Sequence, residues 1–139
     1  MSVSISAIIA ATVAMFVVGA IWYMPLFGKM WGEMFGFENL SKKEQKVMQS
    51  KMAPWMGLQF VVTAFTAFGL AKLMTLLPGY SPYTLAVLLW FGLMVPVTVS
   101  SAVFGGTDSK WLPRKLAIQL GESLLHTIVA AWVIGLIQK

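Results

Sequence analysis

The chain has 139 residues, of which 58% are hydrophobic and only 11% charged, with no cysteine and a formal net charge of +5. A soluble domain of this size carries roughly 25% charged residues, so the composition excludes an ordinary soluble fold. The lack of cysteine excludes disulfides, thiolate nucleophiles and cysteine-held metals.

Four apolar runs account for the excess, at 3–24, 54–77, 82–104 and 116–137. Each is 22 to 24 residues long, and about 20 helical residues cross a bilayer core. The expected fold is all-α: a polytopic integral membrane protein with four transmembrane helices, forming a single membrane domain over 1–139. The first run reads as a retained span and not a secretory signal. No Lys or Arg precedes it, the first basic residue being Lys29, and its apolar core is too long for a cleaved segment.

That run ends in Gly19-Ala20-Ile21-Trp22-Tyr23-Met24-Pro25, where Pro25 is expected to end or bend the helix. Trp22, Tyr23 and Trp31 are interface aromatics. They read either as an aromatic belt or as one wall of a cytoplasm-facing binding site. With Phe35 and Phe37 they predict a segment lying along the membrane surface. Next, Ser41-Lys42-Lys43-Glu44 has the form of a capping box. It predicts a short amphipathic cytoplasmic helix between the first and second spans, resting on lipid and leading into the second span near Pro54.

Pro78-Gly79-Tyr80-Ser81-Pro82 predicts a tight turn, making the second and third spans antiparallel neighbours. Pro96 in the third span removes a ladder bond and frees carbonyls near Gly92, and in lipid such carbonyls need another donor. Small residues recur at packing spacing: Ala7, Ala11 and Gly19, then Ala67 and Ala71, then Ala131 and Gly135. This spacing lets helices approach closely, within one bundle or between copies.

Charge placement argues for orientation and against nucleic acid. The 25–53 connection holds Lys29, Lys42, Lys43, Lys46 and Lys51, and the 105–115 connection holds Lys110, Arg114 and Lys115. The other side has only Lys72 and Lys139. By the positive-inside rule both basic loops lie in the cytoplasm and both termini outside. The basic residues serve orientation and contact with anionic lipid.

Several of these segments together resemble a bacterial family of small four-helix membrane proteins, domain of unknown function 1761. The resemblance rests first on Gly19-Ala20-Ile21-Trp22-Tyr23-Met24-Pro25-Leu26-Phe27-Gly28-Lys29-Met30-Trp31. It continues in the lysine-rich stretch, Met52-Ala53-Pro54, Leu89-Trp90-Phe91-Gly92 with Pro96, and Phe104-Gly105-Gly106. It covers essentially the whole chain. The family usually carries a serine where Met24 stands, and often an aromatic residue near the position of Glu122. The resemblance therefore implies a fold and a location but no activity, and no family-wide role for that acid.

The chemistry lies in the last run. Glu122 is the only acid within any apolar run and His126 the only histidine of the chain. Four residues apart, they share a helix face. Lys115 and Gln119 extend the stripe towards the basic loop. Ionisable groups in a membrane span are costly and are functional candidates by default. The pair could carry protons, bind a ligand, or serve only as an intrahelical bond orienting the helix against the Pro96 kink. As metal ligands, one Glu and one His fall short of the three or four that zinc takes, so a metal would need a second copy of the chain. No Gly-x-Ser-x-Gly elbow or phosphate-binding loop occurs.

The expectation is thus a non-enzymatic inner-membrane protein without a cofactor, structural or interacting in role, with a polar intramembrane site at Glu122, His126, Gln119 and Pro96. The alternative is proton-coupled transport of a small molecule or ion through a homo-oligomer, using Glu122 and His126. The expected partners are membrane lipids, further copies of the chain, and a small-molecule or ion ligand.

Overall fold

In the computed structural model, which describes residues 2–139, the chain folds into helices, and the described residues contain no strand. Four helical stretches are long and apolar enough to cross a membrane: Ile5–Leu26, Lys42–Leu76, Pro82–Phe104 and Leu112–Ile137. The first consists of α1 (Ile5–Ile21) continued by a π-helical turn, Trp22–Leu26. A short helix α2 (Gly28–Met34) follows, then α3 (Lys42–Leu76). The third stretch is α4 (Pro82–Leu89), a π-helical turn at Trp90–Met94, and α5 (Val95–Phe104). The last is α6 (Leu112–Ile137).

Local sequence explains the helix starts. Ser4 and Ser81 accept from the amides of Ala7 and Thr84, satisfying donors that a helix start leaves free. Ser41 and Glu44 complete a reciprocal capping box. Pro113 opens α6 within its first turn, where a missing amide hydrogen costs nothing.

The charged segment after Ser41 is not a separate amphipathic helix between the first two spans, as the sequence predicts. It is the start of α3, a single helix of 35 residues that runs straight through Pro54. The capping box nucleates it, and good helix formers carry it forward. Pro54 removes only its own bond to the carbonyl of Ser50. Both residues are exposed, so that carbonyl is free to find another donor. The helix that does stand between the first and second spans is α2, in the aromatic segment. At Pro25 the helix neither stops abruptly nor continues as α: it widens into the π-helical turn, and Phe27 ends it. A second such turn precedes Pro96, whose ring lies on an exposed face of the third span.

The core lies at one end of the bundle. Ala7, Ala11 and Met15 of α1 pack with Ala67, Leu70 and Ala71 of α3, Leu85 and Ala86 of α4, and Ala130, Ala131 and Ile134 of α6. Seven of these are alanines, which lets the backbones approach closely. Gln138 ties the same end together. Its carbonyl accepts from the Ser4 amide at 3.1 Å and its amide donates to the Ala71 carbonyl at 3.0 Å.

The opposite end carries both basic connections and is looser. Residues 46–62 of α3 are exposed throughout. Arg114 donates to Glu33 at 2.7 Å, joining the start of α6 to α2. Along α6, the Trp22 indole donates to the Ile118 carbonyl at 2.9 Å. Gly121 makes room for that ring: a Cβ there would lie 2.9 Å from Trp22 Cζ2.

A polar cavity between the first, second and fourth spans

Where α3 diverges from the bundle, a cavity of 470 Å³ opens beside the Glu122–His126 pair. Three helical stretches and α2 build it. Met15, Phe16, Gly19 and Ala20 come from α1, and Tyr23 and Met24 from its π-helical turn. Met52, Met56, Gln59 and Thr63 come from α3, Trp31 from α2, and Glu122 and His126 from α6. The volume falls within the range of about 300–1,000 Å³ typical of small-molecule sites. So does the character of the wall, apolar and aromatic with a few converging polar groups.

The pair itself is short and sheltered. His126 Nδ1 lies 2.8 Å from Glu122 Oε1, and the two side chains are 19% and 12% exposed. Which atom carries the proton depends on the tautomer and charge state. Gly19 faces the carboxylate, and a Cβ there would lie 3.4 Å from Glu122 Oε1, in van der Waals contact. A larger residue at 19 would push α1 or the carboxylate away. Opposite the pair, Thr63 donates to the Gln59 carbonyl one turn back at 2.7 Å. The Gln59 amide reaches the same hydroxyl at 3.4 Å. Within the π-helical turn at Trp22–Leu26, Trp22 bonds to α6 while the adjacent Tyr23 lines the cavity. Tyr23 stacks edge-on against Trp31, with ring centroids 4.9 Å apart.

The residues picked out in the sequence separate into groups. Glu122, His126, Tyr23 and Trp31 meet at the cavity, whereas Trp22 is a half-buried clasp between the first and last spans. Gln119 and Pro96 are absent from the lining. Lys115 donates to Thr107 Oγ1 at 3.0 Å and belongs to a separate hollow with Trp111, Gly105 and Gly106. The stripe from Lys115 to His126 therefore does not feed one cavity. The face of α6 that meets the third span carries Ser123 and Thr127. The Trp90 indole donates to Ser123 at 2.9 Å, and the Thr127 hydroxyl, which donates to the Ser123 carbonyl at 2.5 Å, lies 3.4 Å from Met94 sulfur. The acid and histidine point elsewhere, so their bond does not pack against the Pro96 region.

Sequence reasoning misses Gln59 and Thr63. The signal was present: two polar residues four apart in an apolar run, hence on one face. No group of three or more His, Cys, Asp or Glu comes together among the described residues.

Neither the curated proteins nor the solved structures include a match to this chain. A family model does match, over residues 6–135 and so over nearly the whole length. The chain belongs to the family described as Protein of unknown function (DUF1761).

Proposed function

We propose that this is a non-enzymatic integral membrane protein that binds a small amphipathic ligand in the cavity between its first, second and fourth spans, with the Glu122–His126 pair as a proton-linked anchor. One observation carries the reading: the only acid of the apolar stretches and the only histidine converge on the wall of a roomy cavity. Here apolar walls fit a ligand's body, and Glu122, His126, Tyr23 and Gln59 offer hydrogen bonds to a polar end.

The membrane is the bacterial cytoplasmic membrane, with the basic end in the cytoplasm and both termini outside. The basic clusters of both connections lie at one end of the bundle, joined by Arg114 and Glu33, and this supports the orientation. Since the native chain lacks cysteine, single cysteines placed in 40–50 or 107–111 provide a clean test. Labelling of these sites from the cytoplasm is expected, and labelling of a cysteine near position 139 from the cytoplasm overturns the orientation.

Self-association completes the reading. The exposed α3 segment 46–62 borders the cavity through Met52, Met56 and Gln59, so a second copy would extend its wall. Crosslinking in lipid at several protein-to-lipid ratios is expected to give dimers or larger species, and monomers alone refute it.

Ligand binding is tested by native mass spectrometry on gently purified protein and by Glu122→Gln. That variant keeps size and hydrogen bonding, so it is expected to fold and insert with an unchanged melting temperature. It removes the titrating carboxyl and should abolish pH-dependent binding. A co-purifying small molecule lost in Glu122→Gln supports the reading. Unchanged pH dependence in folded Glu122→Gln protein contradicts it.

A further inference from the structure

We infer that the ligand class of this cavity is an organic monocation with an apolar body, and that its binding displaces the single proton shared by Glu122 and His126. The inference rests on the ligand-site reading above and narrows it.

Charge is the first argument. Glu122 is the only acid on the cavity wall, and neither Lys nor Arg lines it. The titratable groups around the carboxylate are His126 on α6 and Tyr23 on the π-helical turn. Gln59 and Thr63 from α3 are neutral, and the third span adds nothing to the wall. An anionic ligand would thus meet a carboxylate with no fixed cation to offset it, whereas a cation has a partner. In a low-dielectric site this difference is large.

The second argument is what the carboxylate has left to offer. Among the described residues His126 is its one hydrogen-bond partner, through Oε1. No buried side-chain oxygen or nitrogen is left unpaired among the described residues. The second carboxylate oxygen is therefore not fully sealed in protein, and Glu122 stands on the cavity wall. The walls suit the rest of such a ligand. Trp31, Tyr23 and Phe16 carry electron-rich faces that attract cations, and the Met15 and Met56 thioethers are polarisable and adaptable.

Proton balance follows from the pair. A pair neutral overall holds one proton, either as Glu122 carboxylate with His126 imidazolium or as carboxylic acid with imidazole. Binding a monocation L⁺ at the carboxylate leaves Glu122⁻·L⁺ and neutral His126, and one proton departs to solvent. Charge inside the cavity is conserved, which avoids burying a net charge. No oxidant, reductant or bond rearrangement is involved.

The test compares benzyltrimethylammonium with its neutral carbon isostere, neopentylbenzene, by titration calorimetry on the full chain in zwitterionic lipid nanodiscs. Buffers of different ionisation heat count the protons released. Preferred binding of the cation is expected, with one proton released per cation bound. Its affinity should rise with pH by up to about tenfold per pH unit while the pair is protonated. In Glu122→Gln the preference and the proton release should both disappear. Should that variant fail to fold, the preference and proton count of the native chain decide alone. Equal binding of the two probes, or preference for the neutral one, overturns the cation assignment and leaves the cavity as a ligand site. Cation preference without proton release overturns the displacement step. Binding of neither probe ends both this inference and the ligand-site reading.

Discussion

The two ends of the bundle solve opposite problems with different side chains. At the end holding the termini, alanines bring four helices together and Gln138 pins three of them. At the basic end, α3 diverges, and methionine and aromatic side chains border a cavity in place of a packed interior. Small residues exclude water and lipid by letting backbones approach. Long flexible ones line a space without filling it. Closure at one end holds the helices in register while the other end stays open around Glu122.

Enlarging a residue at the closed end should have the largest effect. Ala71→Leu and Ala131→Leu each insert a branched side chain where exposure is 0%, and each is expected to cost about 1–3 kcal/mol. Met56→Leu at the open end should stay below about 1.5 kcal/mol. Intrinsic tryptophan fluorescence during thermal unfolding in detergent reads the difference. Equal losses at both ends would erase the distinction between them.

Removing the Gln138 clasp comes next. Gln138→Leu leaves the Ser4 amide and Ala71 carbonyl without their partner, for an expected loss of about 1–3 kcal/mol. Hydrogen exchange should speed up at the start of α1 and the end of α3 while the cavity region is unaffected. Exchange that rises uniformly along the chain would mean that the ends are not independent.

A smaller loss is expected for Trp22→Phe, which keeps a ring against Gly121 but removes the bond to Ile118. It should cost about 1 kcal/mol. Because Tyr23 is adjacent, this variant should also weaken ligand binding. Full retention of binding would show that Tyr23 holds its place without the clasp.

The smallest effect belongs to the basic end's surface pair. Arg114 and Glu33 side chains are 32% and 34% exposed at 2.7 Å separation. Glu33→Gln should cost no more than about 1 kcal/mol, and less as salt rises. A larger, salt-independent loss would show that this end is packed more firmly than its exposed helix implies.

How much of this was legible in the sequence follows from the range over which each signal acts. The four apolar runs and the shared face of Glu122 and His126 depend on helix length and spacing alone, and both are found in the structure. The capping box was equally local, though what it starts was not: lysine-rich composition suggests a separate surface helix, whereas backbone continuity through Pro54 makes it part of α3. The cavity depends on where α3 stands relative to α1, which no local pattern encodes. Hence Gln59 and Thr63 escaped notice. The placement of Trp22 against α6 depends on how α1 and α6 pack, a contact between residues 96 apart in the chain that no local pattern encodes. Pro96 announced a perturbed helix and indeed follows a π-helical turn, yet its ring lies on an exposed face.

The central contrast, an open end around Glu122 and a closed end of alanines, can be measured directly with single cysteines in a chain that has none of its own. Ala20→Cys lies on the cavity wall and Ala67→Cys in the alanine core, where exposure is 0%. Both sit within apolar helices, so sequence environment alone does not distinguish them. In lipid nanodiscs, a small cationic methanethiosulfonate should modify Ala20→Cys rapidly, more slowly in the presence of benzyltrimethylammonium, and leave Ala67→Cys intact. Equal modification of the two cysteines, or none at Ala20→Cys in folded protein, would contradict the account.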